Sequence, residues 1–178
     1  MATPAARAVD SWHGYLQRAA AGPTDEVAAA LDAMLSDAVV FRSPVVFTPQ
    51  VGRELTRTYL LAALATLNAP EAGFRYVREV IGDRDAVLEF ETTLDGKLVH
   101  GVDLIAVDED ARIVDFTVMV RPLQGVQAIH ATMGAMLATM SSATGGRASS
   151  DMEGGLVKWH AEIDPRTVSF AEGRREWV

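Results

Sequence analysis

Residues 74–120 read FRYVREVIGDRDAVLEFETTLDGKLVHGVDLIAVDEDARIVDFTVMV, and their period decides the fold class. β-Branched and aromatic residues recur at alternate places, which is the spacing of side chains on one face of a pleated strand. Four strands are predicted, over Phe74–Ile81, Ala86–Leu94, Lys97–Val107 and Ile113–Val120. Three short turns divide them: Gly82-Asp83-Arg84-Asp85, Asp95-Gly96 and Asp108-Glu109-Asp110-Ala111. Asp95-Gly96 is the clearest signal, because Asp-Gly accepts the positive φ angles of a type I′ hairpin turn. Connections this short make the neighbouring strands antiparallel.

Outward from this block the period changes. Arg53–Leu67 is rich in Leu and Ala, with Leu60, Leu64 and Leu67 on one stripe, and predicts a helix. Before it, Ala38-Val39-Val40-Phe41 reads as a short strand stopped by Pro44, and Pro49-Gln50-Val51-Gly52 as a loop. Two helices precede that strand. The first has Val9, Trp12, Leu16 and Ala19 on one face from about Asp10; the second starts at Thr24 or Asp25 and closes at Ser36-Asp37. After the strands, a helix from about Gln124 to Ala143 carries Val126, Ile129, Met133, Met136, Leu137 and Met140. Residues 141–155 hold nine Gly, Ser or Thr in fifteen and read as a linker. Residues 156–178, with Trp159, Phe170 and Trp177, read as a tail that docks on the domain or on a second chain.

The 178 residues suit one domain with an appendage. Sixteen Lys and Arg against 24 Asp and Glu leave a net charge of −8, and no basic run interleaves with aromatics, so nucleic acid is not an expected partner. The absence of cysteine excludes disulfides, thiolate metal sites and cysteine nucleophiles. No apolar run approaches a membrane span, and residues 1–10 lack the apolar region of a secretion signal, so a cytoplasmic protein is expected. The four histidines are dispersed without ligand spacing, and no phosphate-cradling glycine motif occurs. Neither a metal nor another cofactor is expected.

Helices first, then a strand, another helix and a run of antiparallel strands make an α+β pattern. The chain resembles the NTF2-like superfamily, on its SnoaL-like and ketosteroid isomerase branch, over residues 8–140. Three stretches carry the likeness: Leu35-Ser36-Asp37-Ala38-Val39-Val40-Phe41-Arg42-Ser43-Pro44, Gly52-Arg53-Glu54, and the hairpin from Gly101 to Ile113. The resemblance implies a cone-shaped, curved, antiparallel-rich sheet around a pocket, with three helices from the N-terminal half and one after the sheet. It also implies homodimers joined sheet to sheet, and the apolar set Val102, Leu104, Thr117 and Met119 marks an outer face suited to that.

Alternation selects the pocket wall. Leu88 and Phe90 share one face against Glu89 and Glu91, and Phe116, Val118 and Val120 share another, with Phe41 and Met133 added from their own elements. For Lys97–Val107 both faces are largely apolar, so periodicity leaves Asp103 open. The resemblance places Asp103 inside the pocket, where desolvation would raise its pKa and keep it a hydrogen-bond donor to an oxyanion, as in ketosteroid isomerases. The same branch puts an aspartate base just before the strand-ending proline, where this chain has Ser43. A serine hydroxyl does not remove a proton beside a carbonyl unaided, so the usual steroid isomerisation is not expected. Tyr15, Tyr59 and Ser43 are the candidate assistants to Asp103. Where the family commonly has glycine, this chain has Ala111, and Asp110 is expected to take the left-handed backbone instead. The expected function is a small-molecule pocket protein resembling SnoaL-like enzymes, working on an apolar carbonyl compound by proton transfer, isomerisation or cyclisation. The alternative is a non-catalytic homodimeric module that binds a ligand or a protein.

Overall fold

The computed structural model describes residues 2–20, 24–67 and 72–143. Most of the expected linker at 141–155 and all of the tail at 156–178 lie outside the described residues. Residues 141–143 are described, and they continue the last helix instead of opening a linker.

Helix α1 (Pro4–Ala19) begins well before the Asp10 start that apolar spacing suggests. The Thr3 hydroxyl accepts from the Ala6 amide at 3.2 Å, and Pro4 occupies the first turn, where no backbone donor is needed. Thr24 caps α2 (Asp25–Met34) in the same way, accepting from the Val27 amide at 3.2 Å. Strand β1 (Leu35–Arg42) follows at once, so Ser36 and Asp37, expected to close the helix, already belong to the strand. The expected loop at Pro49–Gly52 contains a two-residue strand, β2 (Gln50–Val51), paired antiparallel to β1. Gly52, at φ 101°, turns the chain into α3 (Arg53–Leu67). Its amide donates to the Val39 carbonyl at 2.8 Å, which ties the start of α3 to β1.

Strands β3 (Arg75–Ile81), β4 (Asp85–Leu94), β5 (Lys97–Val107) and β6 (Ile113–Arg121) complete an open sheet of order β2-β1-β6-β5-β4-β3. All neighbours are antiparallel except β1 and β6, which run parallel. Register shifts between Tyr76 and Arg78, Leu35 and Val40, and Ala106 and Val107 mark irregularities of the kind that bend strands and strengthen twist. Asp95 and Gly96 hold φ angles of 50° and 70°, as the hairpin signal predicts. The acidic turn corrects the sequence reading: Ala111, not Asp110, adopts positive φ, at 66°. Its geometry is set by Asp108, whose carboxylate accepts from the Asp110 and Arg112 amides at 3.0 and 2.8 Å. The left-handed residue is the one between these two anchored amides.

Along β5 every second residue from Val99 to Val107 is buried, which puts Gly101, Asp103 and Ile105 on the concave face with Leu88 and Phe90 of β4. The convex face carries the charges. Glu89 pairs with Arg78 at 2.6 Å and Glu91 with Arg75 at 2.5 Å. His100 meets Glu89 at 2.6 Å and so faces away from Asp103. Helix α1 lays Val9, Trp12 and Tyr15 into the concave side, and α4 (Leu123–Ala143) closes over it beside α3. Among the described residues no helix is long and apolar enough to cross a membrane.

Candidate active site

The sheet's curve and three of the helices enclose a cavity of about 60 Å³. That is room for roughly four or five waters. Of the wall residues expected from alternation, Phe41, Phe90, Phe116, Val118, Val120 and Met133 line it. Leu88 does not: it is fully buried in the core behind the wall. The side chains of Met136, Leu137 and Met140 lie outside the described residues.

Asp103 enters this apolar space. It is 6% exposed, paired in the sheet between Leu88 of β4 and Val118 of β6. Burial pushes its carboxyl up to about 7, and a hydrogen bond from Tyr76 opposes that rise without cancelling it. The Tyr76 hydroxyl donates to Asp103 Oδ2 at 2.6 Å, and Trp12 Nε1 donates to the Tyr76 hydroxyl at 2.8 Å. Burial, the negative charge of Asp103 and that hydrogen bond hold the Tyr76 phenol well above its ordinary range, so it remains a phenol at neutral pH. Outside this chain, His13 stands edge-on to the Tyr76 ring at 5.5 Å and meets Glu79 at 2.9 Å.

Neither tyrosine named from sequence lines the cavity. Tyr15 is completely buried beside Trp12, with ring centroids 5.3 Å apart and its phenol pushed up to about 12 by burial. Its hydroxyl has no hydrogen-bond partner among the described residues. Tyr59 packs on Phe41 at 5.8 Å, one layer behind the wall. Ser43 does reach the cavity, but its Oγ accepts from the Val45 amide at 3.2 Å, which is a turn-forming use of the side chain. The structure therefore brings Asp103 together with Trp12, which sequence reasoning places on the apolar face of the first helix, and with Tyr76, to which it assigns no role. Phe116 of β6 packs against Trp12, with ring centroids 5.2 Å apart and the planes tilted by 57°.

No protein-family model matches the chain, and no curated protein matches it. Solved structures do. A steroid delta-isomerase from Pseudomonas aeruginosa is 33% identical with a TM-score of 0.69, over 80% of this chain and 97% of that one. A protein with a cystatin-like fold from Silicibacter pomeroyi is 28% identical with a TM-score of 0.56, over 74% and 89% of the two chains. A de novo designed protein with a curved β-sheet is 14% identical with a TM-score of 0.52, over 68% and 93%, and shares the fold alone.

Proposed function

The chain belongs to the NTF2-like superfamily, on its SnoaL-like and ketosteroid isomerase-like branch, and from that premise we propose that it works on a small apolar carbonyl compound by proton transfer. The observation that carries this reading is one buried carboxyl, poised near neutrality, in an otherwise apolar cavity. In its neutral form Asp103 gives its proton to the carbonyl oxygen while a water at the cavity mouth takes a proton from the neighbouring carbon. The electron pair of that C–H bond becomes the double bond of an enol, and when solvent returns a proton to carbon the enol hydroxyl gives its proton back to the Asp103 carboxylate, which restores the neutral acid. Return of a proton at the same carbon gives exchange, and at another carbon isomerisation. A general acid is most effective when its pKa lies near the working pH, and dry apolar walls strengthen the bond it makes to the developing oxyanion.

The alternative, a binding module without catalysis, draws support from Ser43, which stands where the branch keeps its base and whose oxygen is engaged with Val45. Cyclohexanone in heavy water distinguishes the two. The protein should accelerate deuterium exchange beside the carbonyl, the acceleration should fade above about pH 7 as Asp103 ionises, and Asp103→Leu should remove it. Exchange at the buffer rate in a protein that still binds phenol, followed by Trp12 fluorescence, would leave only the binding module.

We further propose a homodimer through the convex face of the sheet. Val80 and Met119 are 60% and 55% exposed there, beside Val102 and Leu104. A shared apolar face of this kind favours association over hydration. Sedimentation at micromolar protein should show a dimer, and monomer alone would remove the claim.

A further inference from the structure

The hydrogen bonds around Asp103 have a direction that the distances alone do not state. An indole nitrogen is a donor only, so the bond between Trp12 and Tyr76 runs toward the phenol oxygen. A phenol has one proton. With Trp12 on one side, that proton has Asp103 Oδ2 as its acceptor, 2.6 Å away. Oδ2 is thus occupied as an acceptor in both protonation states of the carboxyl. When Asp103 is neutral its own proton belongs on Oδ1, and no hydrogen-bond partner for Oδ1 occurs among the described residues.

We propose that Trp12 is a positioning residue: by donating to the Tyr76 oxygen it commits the phenolic proton to Asp103 Oδ2 and leaves Oδ1 as the one oxygen through which Asp103 exchanges a proton with the cavity. Tyr76 is then spent on the carboxyl and is not a second donor to the ligand. The site accordingly recognises a compound with a single buried oxygen. A ketone oxygen accepts from the neutral carboxyl, and the enol hydroxyl it becomes donates back to the carboxylate. A second polar group at the buried end would find only the walls of Phe41, Phe90, Phe116 and Val118.

Because each donor polarises the next, the Trp12 bond also strengthens the grip of Tyr76 on the ionised carboxylate. Removing it should raise the pH at which Asp103 titrates. The other titratable groups set against Tyr76 are His13 of α1 and Glu79 of β3, which hold each other, and neither touches the Asp103 carboxyl. The inference rests on the reading of Asp103 as the working carboxyl, yet its test needs neither ligand nor turnover, so failed exchange on cyclohexanone would leave it standing.

The experiment is a titration of the Asp103 carboxyl by carbon-13 NMR, its signal assigned by its loss in Asp103→Asn. Three variants are compared with the parent: Trp12→Phe, Tyr76→Phe, and a protein carrying benzothienylalanine at position 12, which keeps the indole shape and replaces the N–H by sulfur. Tyr76→Phe removes the bond to the carboxylate and should lower its acid dissociation constant about ten- to a hundredfold. Both position-12 replacements should lower it by less, roughly 1.3- to 5-fold, in the order set by the polarising share of one further donor. The benzothienyl variant decides the matter even if Trp12→Phe fails to fold. An unchanged titration in that variant makes Trp12 a packing residue, and a shift to lower pH reverses the direction of the chain; either result overturns the proposal.

Discussion

Asp103→Asn is expected to melt above the parent protein at about pH 8, by roughly 2–4 kcal/mol or on the order of 5–15 °C. The native carboxyl has been moved from 3.8 to about 7, chiefly by desolvation. Below the lower value both folded and unfolded chains hold the proton, and burial of the acid carries no ionic penalty. Between the two values the unfolded chain has released its proton while the folded chain keeps it, so the parent loses stability at about 1.4 kcal/mol per pH unit. Above about pH 7 the loss is complete and constant. The gap between the two proteins should therefore open from about pH 4 to about pH 7 and then stay level. An asparagine oxygen still accepts from Tyr76, but an amide in the cavity has donors to satisfy, so the gain falls below the full ionic penalty. Melting curves across this range for the two proteins check the claim. Parallel curves, with no widening toward neutral pH, would mean that Asp103 is hydrated and that the cavity is not dry.

The sheet was legible because its signals are local. Asp95-Gly96 fixes the register of the β4–β5 hairpin, and from it Phe90 falls opposite Gly101 and Leu88 opposite Asp103. Alternation then carries Val118 and Phe116 to the concave side by the same counting. Tyr76 was missed for a physical reason. Counting back from the pair Ile81 and Ala86 places Tyr76 opposite Glu91, on the convex face with the charged residues. The bulge between Tyr76 and Arg78 shifts the register by one, sets Tyr76 opposite Phe90, and turns its hydroxyl toward Asp103. A one-residue slip moves every side chain to the other face, and nothing local in Tyr76-Val77-Arg78 announces it. Phe74 and Tyr76 form an alternating aromatic pair, which is the one available hint that this end of β3 belongs inside.

The helix that carries Trp12 was shifted by its start. Thr3-Pro4 is an N-terminal signature that the apolar pattern does not include, because the first turn of α1 buries only Ala5. Tyr15 and Tyr59 were nominated through motif position, and motif position does not report depth. Trp12 and Phe41 stand in front of them, so both phenols are in the core and the cavity meets the residue one layer nearer. Asp103 itself needed the resemblance, since both faces of β5 are apolar enough to be inside.

Gly101→Ala should destabilise the protein by about 1–3 kcal/mol and weaken phenol binding by more than its melting temperature alone suggests. Gly101 sits directly opposite Phe90, and the ring of Phe90 lies across it. A methyl group there would collide with Phe90 Cζ, approach Cε1 to 2.8 Å and the Met119 carbonyl oxygen to 2.7 Å. The backbone oxygen belongs to β6 and cannot turn aside, so the strain divides between a widened β5–β6 pair and a displaced ring. Phe90 has little room to yield. It packs against Phe74 at 5.3 Å and Tyr76 at 6.5 Å, and it forms the cavity wall on its other side. Displacement therefore moves aromatic bulk into the space a ligand would fill, and it disturbs the ring that presents its hydroxyl to Asp103. Phe90→Leu removes the colliding carbons while keeping an apolar wall. In that background the cost of Gly101→Ala should fall, with a coupling of roughly 0.5–3 kcal/mol, and part of the penalty should remain because the Met119 oxygen is unchanged. Denaturant melts of the two single variants and the double variant measure this coupling. If the two substitutions simply add, the ring does not depend on the missing side chain, and the glycine at 101 is there for the backbone of β6 alone.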